Sequence, residues 1–227
     1  IGGMPQLRSG ITNVEFDSWP GAAKEILLRA AELSDDAEVS AELRIQAKLV
    51  PVSDAGSGGR ARPWTATVDD VPEHLKSWLL DERLGHILNH EVRPHMWMDL
   101  VRYGYASAYT KIHGRSPRGA SEFPEAMYPD HENWTSGKFV DRFKVQRRDE
   151  SSSTVTSHLQ KDGHYFIHPD PTQLRSLSVR EAARLQTYPD NYFFEGSRGA
   201  QFRQVGNAVP PWMARQIADV VHSALRF

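Results

Sequence analysis

The sequence predicts an α+β fold, in which amphipathic helices are combined with a few short antiparallel strands. Apolar residues recur at helical spacing in several stretches, and each of these stretches has one apolar face. The stretches are about 21–33, 39–49, 96–111 and 210 to the end. Alternating apolar and polar residues at 143–146 predict a strand, and an Asp-Gly pair at 162–163 predicts a hairpin over 153–169. No run is apolar over the roughly 18 residues of a membrane span, and we expect a soluble, cytoplasmic protein.

The chain is expected to divide near residue 174. The region 1–174 mixes predicted helices with polar loops, and it begins with an entry linker over residues 1–20. Residues 53–63 are rich in Gly, Ser and Arg, which favours a flexible loop. Residues 175–227 hold a short capped helix, a loop and a terminal helix.

Residues 70–112 are predicted to be helical, and His86, His90 and His95 lie close together within them. His86 and His90 are four residues apart, so they would share one face of a helix. Pro94 interrupts the pattern before His95, and no further ligand falls at a spacing typical of zinc sites. We therefore expect these histidines to form polar or nucleic-acid contacts and predict no metal site.

The charge pattern limits where nucleic acid is expected to bind. The net charge is −2, so a DNA-binding surface has to be a local patch. Five cations are concentrated within residues 138–148: Lys138, Arg142, Lys144, Arg147 and Arg148. The loop at 114–119 adds two arginines. A strand with one basic edge is suited to following a DNA backbone, and the alternative is an ordinary solvated strand face.

The helix after residue 177 has clear start and stop signals. Ser178 and Glu181 form a capping-box pattern, with Leu177 and Ala182 placed for a hydrophobic staple. Pro189 ends the helix. Three polar residues project from it: Arg180, Arg184 and Gln186. Taken alone, the pattern also suits a capped surface helix with solvated charges.

The segment before the terminal helix predicts a tight loop. Gly206 and Asn207 are residue types that tolerate positive φ, and Pro210 and Pro211 suit the first turn of a helix. The helix that follows has an apolar face formed by Met213, Ile217, Val220, Val221 and Leu225. A loop that opens onto a helix start presents free N–H groups to a ligand.

Together these two segments resemble the last two conserved blocks of the DNA (cytosine-5) methyltransferases. The segments are Arg175-Ser-Leu-Ser-Val-Arg-Glu-Ala-Ala-Arg-Leu-Gln-Thr-Tyr-Pro-Asp190 and Gln204-Val-Gly-Asn-Ala-Val-Pro-Pro211. The opening Ile1-Gly-Gly-Met-Pro5 also resembles the segment that follows the catalytic blocks of that family. The resemblance implies a target-recognition domain, followed by segments that normally complete a Rossmann-like methyltransferase domain. It further implies duplex DNA as the partner and a place in a bacterial restriction-modification system, close to the nucleoid.

The resemblance also implies roles for individual residues. Thr154-Val155 matches the Thr-aliphatic pair that lies near the target base in the family. The candidates for DNA contacts are Thr154, Thr156, Lys144, Arg147, Arg148, Lys161 and His164. The candidates for contacts with the cofactor S-adenosylmethionine are Asn207, Ala208 and Val209. The candidates for internal charge-assisted support are Arg175, Glu181, Arg184 and Gln186.

The chain lacks the groups that carry the family's chemistry. It contains no cysteine, whereas the family uses the thiol of a Pro-Cys motif, with a Glu-Asn-Val motif nearby. The glycine-rich loop that holds the cofactor is also absent. We therefore expect no catalytic residue in this chain, no activity from it alone, and an amino-terminal catalytic half as its partner, from the same gene or a separate subunit.

Three functions remain open at this point. The chain is a fragment or subunit of a methyltransferase, a non-catalytic DNA-binding module, or an interaction or scaffold domain. The apolar face of the terminal helix lacks a predicted partner within the chain. Such a face is expected to bind another segment or to cause self-association.

Overall fold

The computed structural model describes residues 3–64, 71–131, 133–134 and 140–225. Ile1 of the family-like opening and Lys138 of the basic segment lie outside these ranges. The helices are α1 (Trp19–Leu33), α2 (Ala37–Leu49), α3 (Glu73–Leu79), α4 (Trp97–His113), α5 (Gly119–Glu122), α6 (Val179–Leu185), α7 (Arg198–Asn207) and α8 (Pro211–Ala224), and the strands are β1 (Gly58–Pro63) and β2 (His86–Glu91). Helices with one small antiparallel sheet agree with the predicted α+β class.

The larger hydrophobic core is formed by α1, α2 and α4. Ser18 caps α1 by accepting a hydrogen bond from the Gly21 amide at 3.3 Å, and Asp36 caps α2. The helix predictions for 21–33, 39–49 and 96–111 are therefore confirmed. Helix α4 is buried continuously from residue 99 to residue 110, because α1 and α2 cover one side and later segments cover the other.

The two strands form an antiparallel ribbon that pairs Gly58 with Glu91 and Pro63 with His86. The helix prediction is wrong for 86–91, and the flexible-loop prediction is wrong for 58–63. Gly58 shows why the loop prediction fails for its segment. Its φ is +89°, and a Cβ atom there would lie 1.9 Å from the His90 carbonyl oxygen. The glycine therefore permits a close approach between strands rather than local flexibility.

A second, smaller core joins α6 and α7 to the segment 155–159 and to Phe166 and Leu177. The predicted hairpin over 153–169 is wrong. A 3₁₀ turn forms at Ser157–Gln160, and the Ile167 amide donates to the Lys144 carbonyl while the His168 amide donates to the Arg175 carbonyl. The segment thus makes only turn bonds within itself, such as the Phe166 amide to the Gly163 carbonyl, and its extended parts bond to neighbouring segments. Gly163 does occupy a turn with φ +80°.

The predicted tight loop at Gly206 and Asn207 is also wrong, because both residues belong to the last turn of α7. The predicted terminal helix is present as α8, although none of its residues is buried. The start of α8 is anchored on α3 and on the turn after α6: the Trp212 ring lies 5.3 Å from the Trp78 ring, and the Trp212 amide donates to Thr187 Oγ1. The Arg215 guanidinium lies 5.4 Å from the centre of the Trp78 ring. Across the described ranges, no helix has the length and apolarity that a bilayer crossing requires.

Candidate functional site

Helix α6 starts from a buried ion pair. The two terminal nitrogens of Arg175 each donate to Glu181 at 2.7 Å, and Arg175 Nε donates to Gln173 Oε1 at 2.9 Å. Glu181 also accepts from the Ser178 amide, which completes the predicted capping box. Burial alone would raise the pKa of the Glu181 carboxyl, but the Arg175 guanidinium outweighs burial and holds this pKa well below its usual range.

The remaining charges of α6 are buried rather than solvated, which excludes the surface-helix alternative. Arg180 donates to the carbonyls of Leu88 at 2.8 Å and Pro189 at 3.1 Å, and also to that of Tyr192. Arg184 donates to both carboxylate oxygens of Asp190, at 2.9 and 2.5 Å. These side chains tie α6 to β2 and to the turn at 189–192.

Of the three neighbouring histidines His86, His90 and His95, the last two are buried inside the protein. His90 Nε2 lies 2.9 Å from the Pro5 carbonyl, and Nδ1 lies 2.8 Å from Ser178 Oγ. His95 Nε2 lies 3.1 Å from Ser176 Oγ. His86, in contrast, is exposed at the start of β2. Burial lowers the pKa of His90 and His95, so both rings are neutral hydrogen-bonding groups that join β2 and its neighbours to the entry of α6.

The candidate DNA residues separate into exposed and buried groups. Thr154 and Thr156 are exposed on either side of buried Val155, and Lys161 is exposed a few residues later. His164 is buried, and its Nδ1 lies 2.8 Å from the Tyr103 hydroxyl. We therefore remove His164 from the candidate DNA surface, because its ring is enclosed by core residues.

The basic segment borders a groove of about 640 Å³ that runs beside the loop at 114–118. Lys144 and Arg147 line the groove together with Arg115 and Arg118. Arg147 already donates to Asp149 and Glu150, at 2.6 Å in each case. Arg148 is exposed and points a guanidinium nitrogen to within 4.0 Å of Asp170. Lys144 and Arg148 are thus better placed than Arg147 to meet an external anion.

The loop at 153–161 lies directly against α7. A Cβ atom at Gly206 would be 2.4 Å from the Thr156 carbonyl carbon. Gln186 Nε2 lies within 3.2–3.5 Å of the carbonyls of Val155, Val205 and Ala208. The structure therefore brings the exposed threonines and the residues 207–209 into one region, which sequence analysis did not foresee.

Arg93 is a further residue of this region that sequence analysis missed. Its side chain donates to the carbonyls of Leu159 at 2.6 Å and Lys161 at 2.9 Å, and its guanidinium lies 4.5 Å from the Phe202 ring centre. It is one arginine among many in the sequence, and nothing in its local pattern marks it. Only the approach of distant segments reveals its contacts.

The candidate cofactor residues lie at the surface. Asn207 is exposed, Ala208 is half-buried, and 58% of Val209 is exposed. The apolar face of α8 continues from them, with exposures from 46% at Met213 to 78% at Leu225. The Asn207 amide offers a polar contact to a ligand, and the branched Val209 side chain offers an apolar one.

Comparisons with known proteins identify the family. The model of the C-5 cytosine-specific DNA methylases matches residues 75–223. A type II methyltransferase of Bacillus paralicheniformis is 49% identical over 138 residues, which cover 59% of this chain and 30% of that protein. The type II methyltransferase M.DdeI of Desulfomicrobium norvegicum is 26% identical over 226 residues, which cover 96% of this chain and 51% of that protein. M.AgeI of Thalassovita gelatinovora is 45% identical over 87 residues, covering 38% of this chain and 20% of its own length.

The chain spans about half or less of the length of these curated relatives. The family match includes the buried ion pairs of α6, the loop at 153–161 and the segment at 204–211. It extends over most of the described structure. This chain belongs to the family of the C-5 cytosine-specific DNA methylases.

Proposed function

We propose that this chain recognises duplex DNA and completes the methyl-donor pocket of a DNA (cytosine-5) methyltransferase. One observation carries the proposal: the chain belongs to this family and has both terminal motifs, yet it contains no cysteine. Since the resemblance assigns the reacting nucleophile to a cysteine thiol, this chain supplies binding surfaces and no catalytic residue. We expect no methylation from the chain alone.

The proposed DNA surface consists of exposed residues and the half-buried Lys144. Thr154 and Thr156 would donate hydroxyl hydrogen bonds to phosphates or base edges. Lys144, Arg148 and Lys161 would neutralise phosphates, which makes binding dependent on salt. Such contacts would hold the duplex while the target cytosine is flipped out of the helix.

The proposed donor-side surface is the segment 204–209. S-adenosylmethionine supplies the methyl group when it is bound to the complete enzyme. The nucleoside part of this cofactor has polar edges and an apolar face. The exposed Asn207 amide and the exposed Val209 side chain suit these two kinds of contact. Ala208, whose amide donates to the Val205 carbonyl at 3.4 Å, would contact the donor through its small side chain or its carbonyl.

The apolar face of α8 is the proposed docking surface for the catalytic half of the enzyme. That half is expected to carry the thiol and to come from the same gene or a separate subunit. An unpaired apolar face also explains why the isolated chain is expected to self-associate. A DNA substrate would bring the assembled enzyme to the bacterial nucleoid.

The test is reconstitution. The full chain is mixed with a catalytic half that carries the Pro-Cys motif, together with duplex DNA and S-adenosylmethionine labelled in its methyl group. Restored transfer of label to cytosine supports the proposal. DNA binding without label transfer supports a non-catalytic DNA-binding module. The absence of both DNA binding and label transfer supports a scaffold domain.

One variant pair shows whether α8 is the docking surface. Ile217→Lys places a charge on the apolar face, and His222→Lys places the same side chain elsewhere on the exposed helix. Because both positions are exposed, neither change should unfold the chain. If Ile217→Lys loses reconstituted activity and His222→Lys keeps it, docking through α8 is supported. Equal activity in both variants contradicts docking through α8.

A further inference from the structure

Gly206 is required by a close approach and not by its backbone conformation. It lies within α7 and does not have positive φ. A Cβ atom at this position would meet the Thr156 carbonyl carbon and the Ser157 nitrogen, both at 2.4 Å, and the Thr156 oxygen at 2.5 Å. These are backbone atoms, which cannot rotate away as a flexible side chain would. Any other residue at position 206 therefore has to displace the loop at 153–161.

Gln186 joins the same two segments by hydrogen bonding. Its amide nitrogen is 3.4 Å from the Val155 carbonyl on one side, and 3.2 and 3.5 Å from the carbonyls of Val205 and Ala208 on the other. The side chain is buried. A buried donor shared between two segments keeps their separation nearly constant, because moving either segment leaves carbonyls unsatisfied.

Arg93 fixes the other end of the loop. Its guanidinium donates to the carbonyls of Leu159, Gln160 and Lys161 at 2.6–3.2 Å. The same guanidinium lies over the ring of Phe202, at 4.5 Å from the ring centre. The loop is thus attached at both ends to α7, and α7 leads directly to Asn207–Val209.

We propose that the loop at 153–161 and the segment at 204–209 move together as one unit, which couples DNA binding to donor binding. This inference rests on the proposed function, in which Thr154 and Thr156 face DNA and Asn207–Val209 face the donor. A ligand that orders one segment also orders the other, so that the second ligand binds more tightly. Such coupling is reciprocal between the two ligands. Gly206 is the positioning residue of the unit.

The structure provides a matched control. Gly199 lies in the same helix, and a Cβ atom there would meet nothing within 4 Å. Gly199→Ala and Gly206→Ala therefore make the same chemical change in the same helix, with the same gain in helix propensity. Only Gly206→Ala moves the loop relative to the segment.

The experiment uses the complete enzyme, in which this chain is combined with its catalytic half. The dissociation constant for duplex DNA is measured with and without S-adenosylhomocysteine, which occupies the donor site without transferring a methyl group. We expect this ligand to tighten DNA binding by about 5- to 150-fold, the usual range for coupled sites, in the wild type and in Gly199→Ala. In Gly206→Ala the ratio should fall towards one.

The outcomes are distinguishable. A wild type that binds both ligands without mutual effect overturns the coupling and leaves the proposed function intact. A Gly206→Ala variant that keeps the wild-type ratio of dissociation constants has the same two consequences. A wild type that binds no DNA overturns the proposed function itself. If Gly206→Ala does not fold, Gln186→Met replaces it, because this change removes the shared donor at similar volume. A reduced ratio in Gln186→Met supports the coupling, and an unchanged ratio contradicts it.

Discussion

Replacing Glu181 by glutamine tests whether buried charge pairing holds α6 in place. The side chain keeps its shape, but one carboxylate oxygen becomes an NH₂ group that points towards the Arg175 guanidinium. Arg175 and Glu181 are both about 1% exposed, so water cannot reach the arginine and compensate for the lost charge. The capping bond from the Ser178 amide at 2.7 Å also loses its charged acceptor.

The expected cost follows from this burial. Removing one partner of a buried ion pair destabilises a protein by about 3–5 kcal/mol, and we expect the lower end because the amide oxygen retains one hydrogen bond. With a urea dependence of roughly 2–3 kcal/mol per molar, the unfolding midpoint should fall by about 1–2 M. Urea unfolding of the full chain at neutral pH measures this shift.

The matched control is Glu32→Gln, which breaks an exposed pair. Arg29 and Glu32 are 51% and 57% exposed in their side chains, so this change should cost no more than about 0.5 kcal/mol. If Glu181→Gln costs as little as Glu32→Gln, the argument from buried charge is refuted.

The pH dependence of the same variant gives a second measure. Because the folded pKa of Glu181 is lowered, its stabilising effect is present above the unfolded pKa of about 4.3. The effect is lost as the pH falls through the folded pKa. The difference between wild type and Glu181→Gln should therefore be constant from about pH 6 to 8 and shrink in strong acid.

Three further predictions concern other parts of the structure. Burial, with help from Arg175, lowers the pKa of His168 to about 3, so the unfolding free energy should fall as the pH drops from about 6.5 towards 3, by up to about 1.4 kcal/mol per pH unit. His168→Asn should flatten this slope in urea titrations at several pH values, and an unchanged slope would contradict a role of His168 in the pH dependence. Arg180→Lys should lower the unfolding free energy by about 2–4 kcal/mol although the charge is kept, because an ammonium group cannot reach three carbonyls that lie in different directions; a loss below about 1 kcal/mol in the same assay would contradict this. Ile217→Lys with Val220→Lys should abolish concentration-dependent association in analytical ultracentrifugation without changing the urea midpoint, since both side chains are at least half exposed; a wild type that is monomeric at all concentrations would refute the expected self-association.

Local sequence signals were sufficient where the chain contacts itself over short distances. The capping box at Ser178 and Glu181 and the amphipathic patterns of α4 and α8 all depend on neighbours within a few residues. Two predictions failed at glycines that a close approach requires. Gly58 and Gly206 were both interpreted as turn or loop residues, whereas each is needed because a distant backbone segment passes too close for a side chain. A sequence pattern does not distinguish these two uses of glycine.

The prediction for 153–169 failed for a related reason. The composition of this segment favours strand, but its hydrogen bonds go to residues 144–146 and 175–177. Backbone groups bond to whichever partner the tertiary fold brings near, and local propensity decides only when no such partner exists. His164 was expected at a DNA surface and is buried for the same reason, because the Tyr103 hydroxyl is its partner.

Sequence patterns alone were enough to identify the family, the capped helix α6, the terminal helix α8 and the absence of a thiol. Motif residues at fixed spacing and simple counts carry this information without any knowledge of distant contacts. The folded arrangement was needed to show that the α6 charges are buried, that β1 and β2 form a ribbon, and that Thr156 lies against Gly206. Each of these depends on segments tens of residues apart meeting within a few ångströms, and no local pattern encodes such a distance.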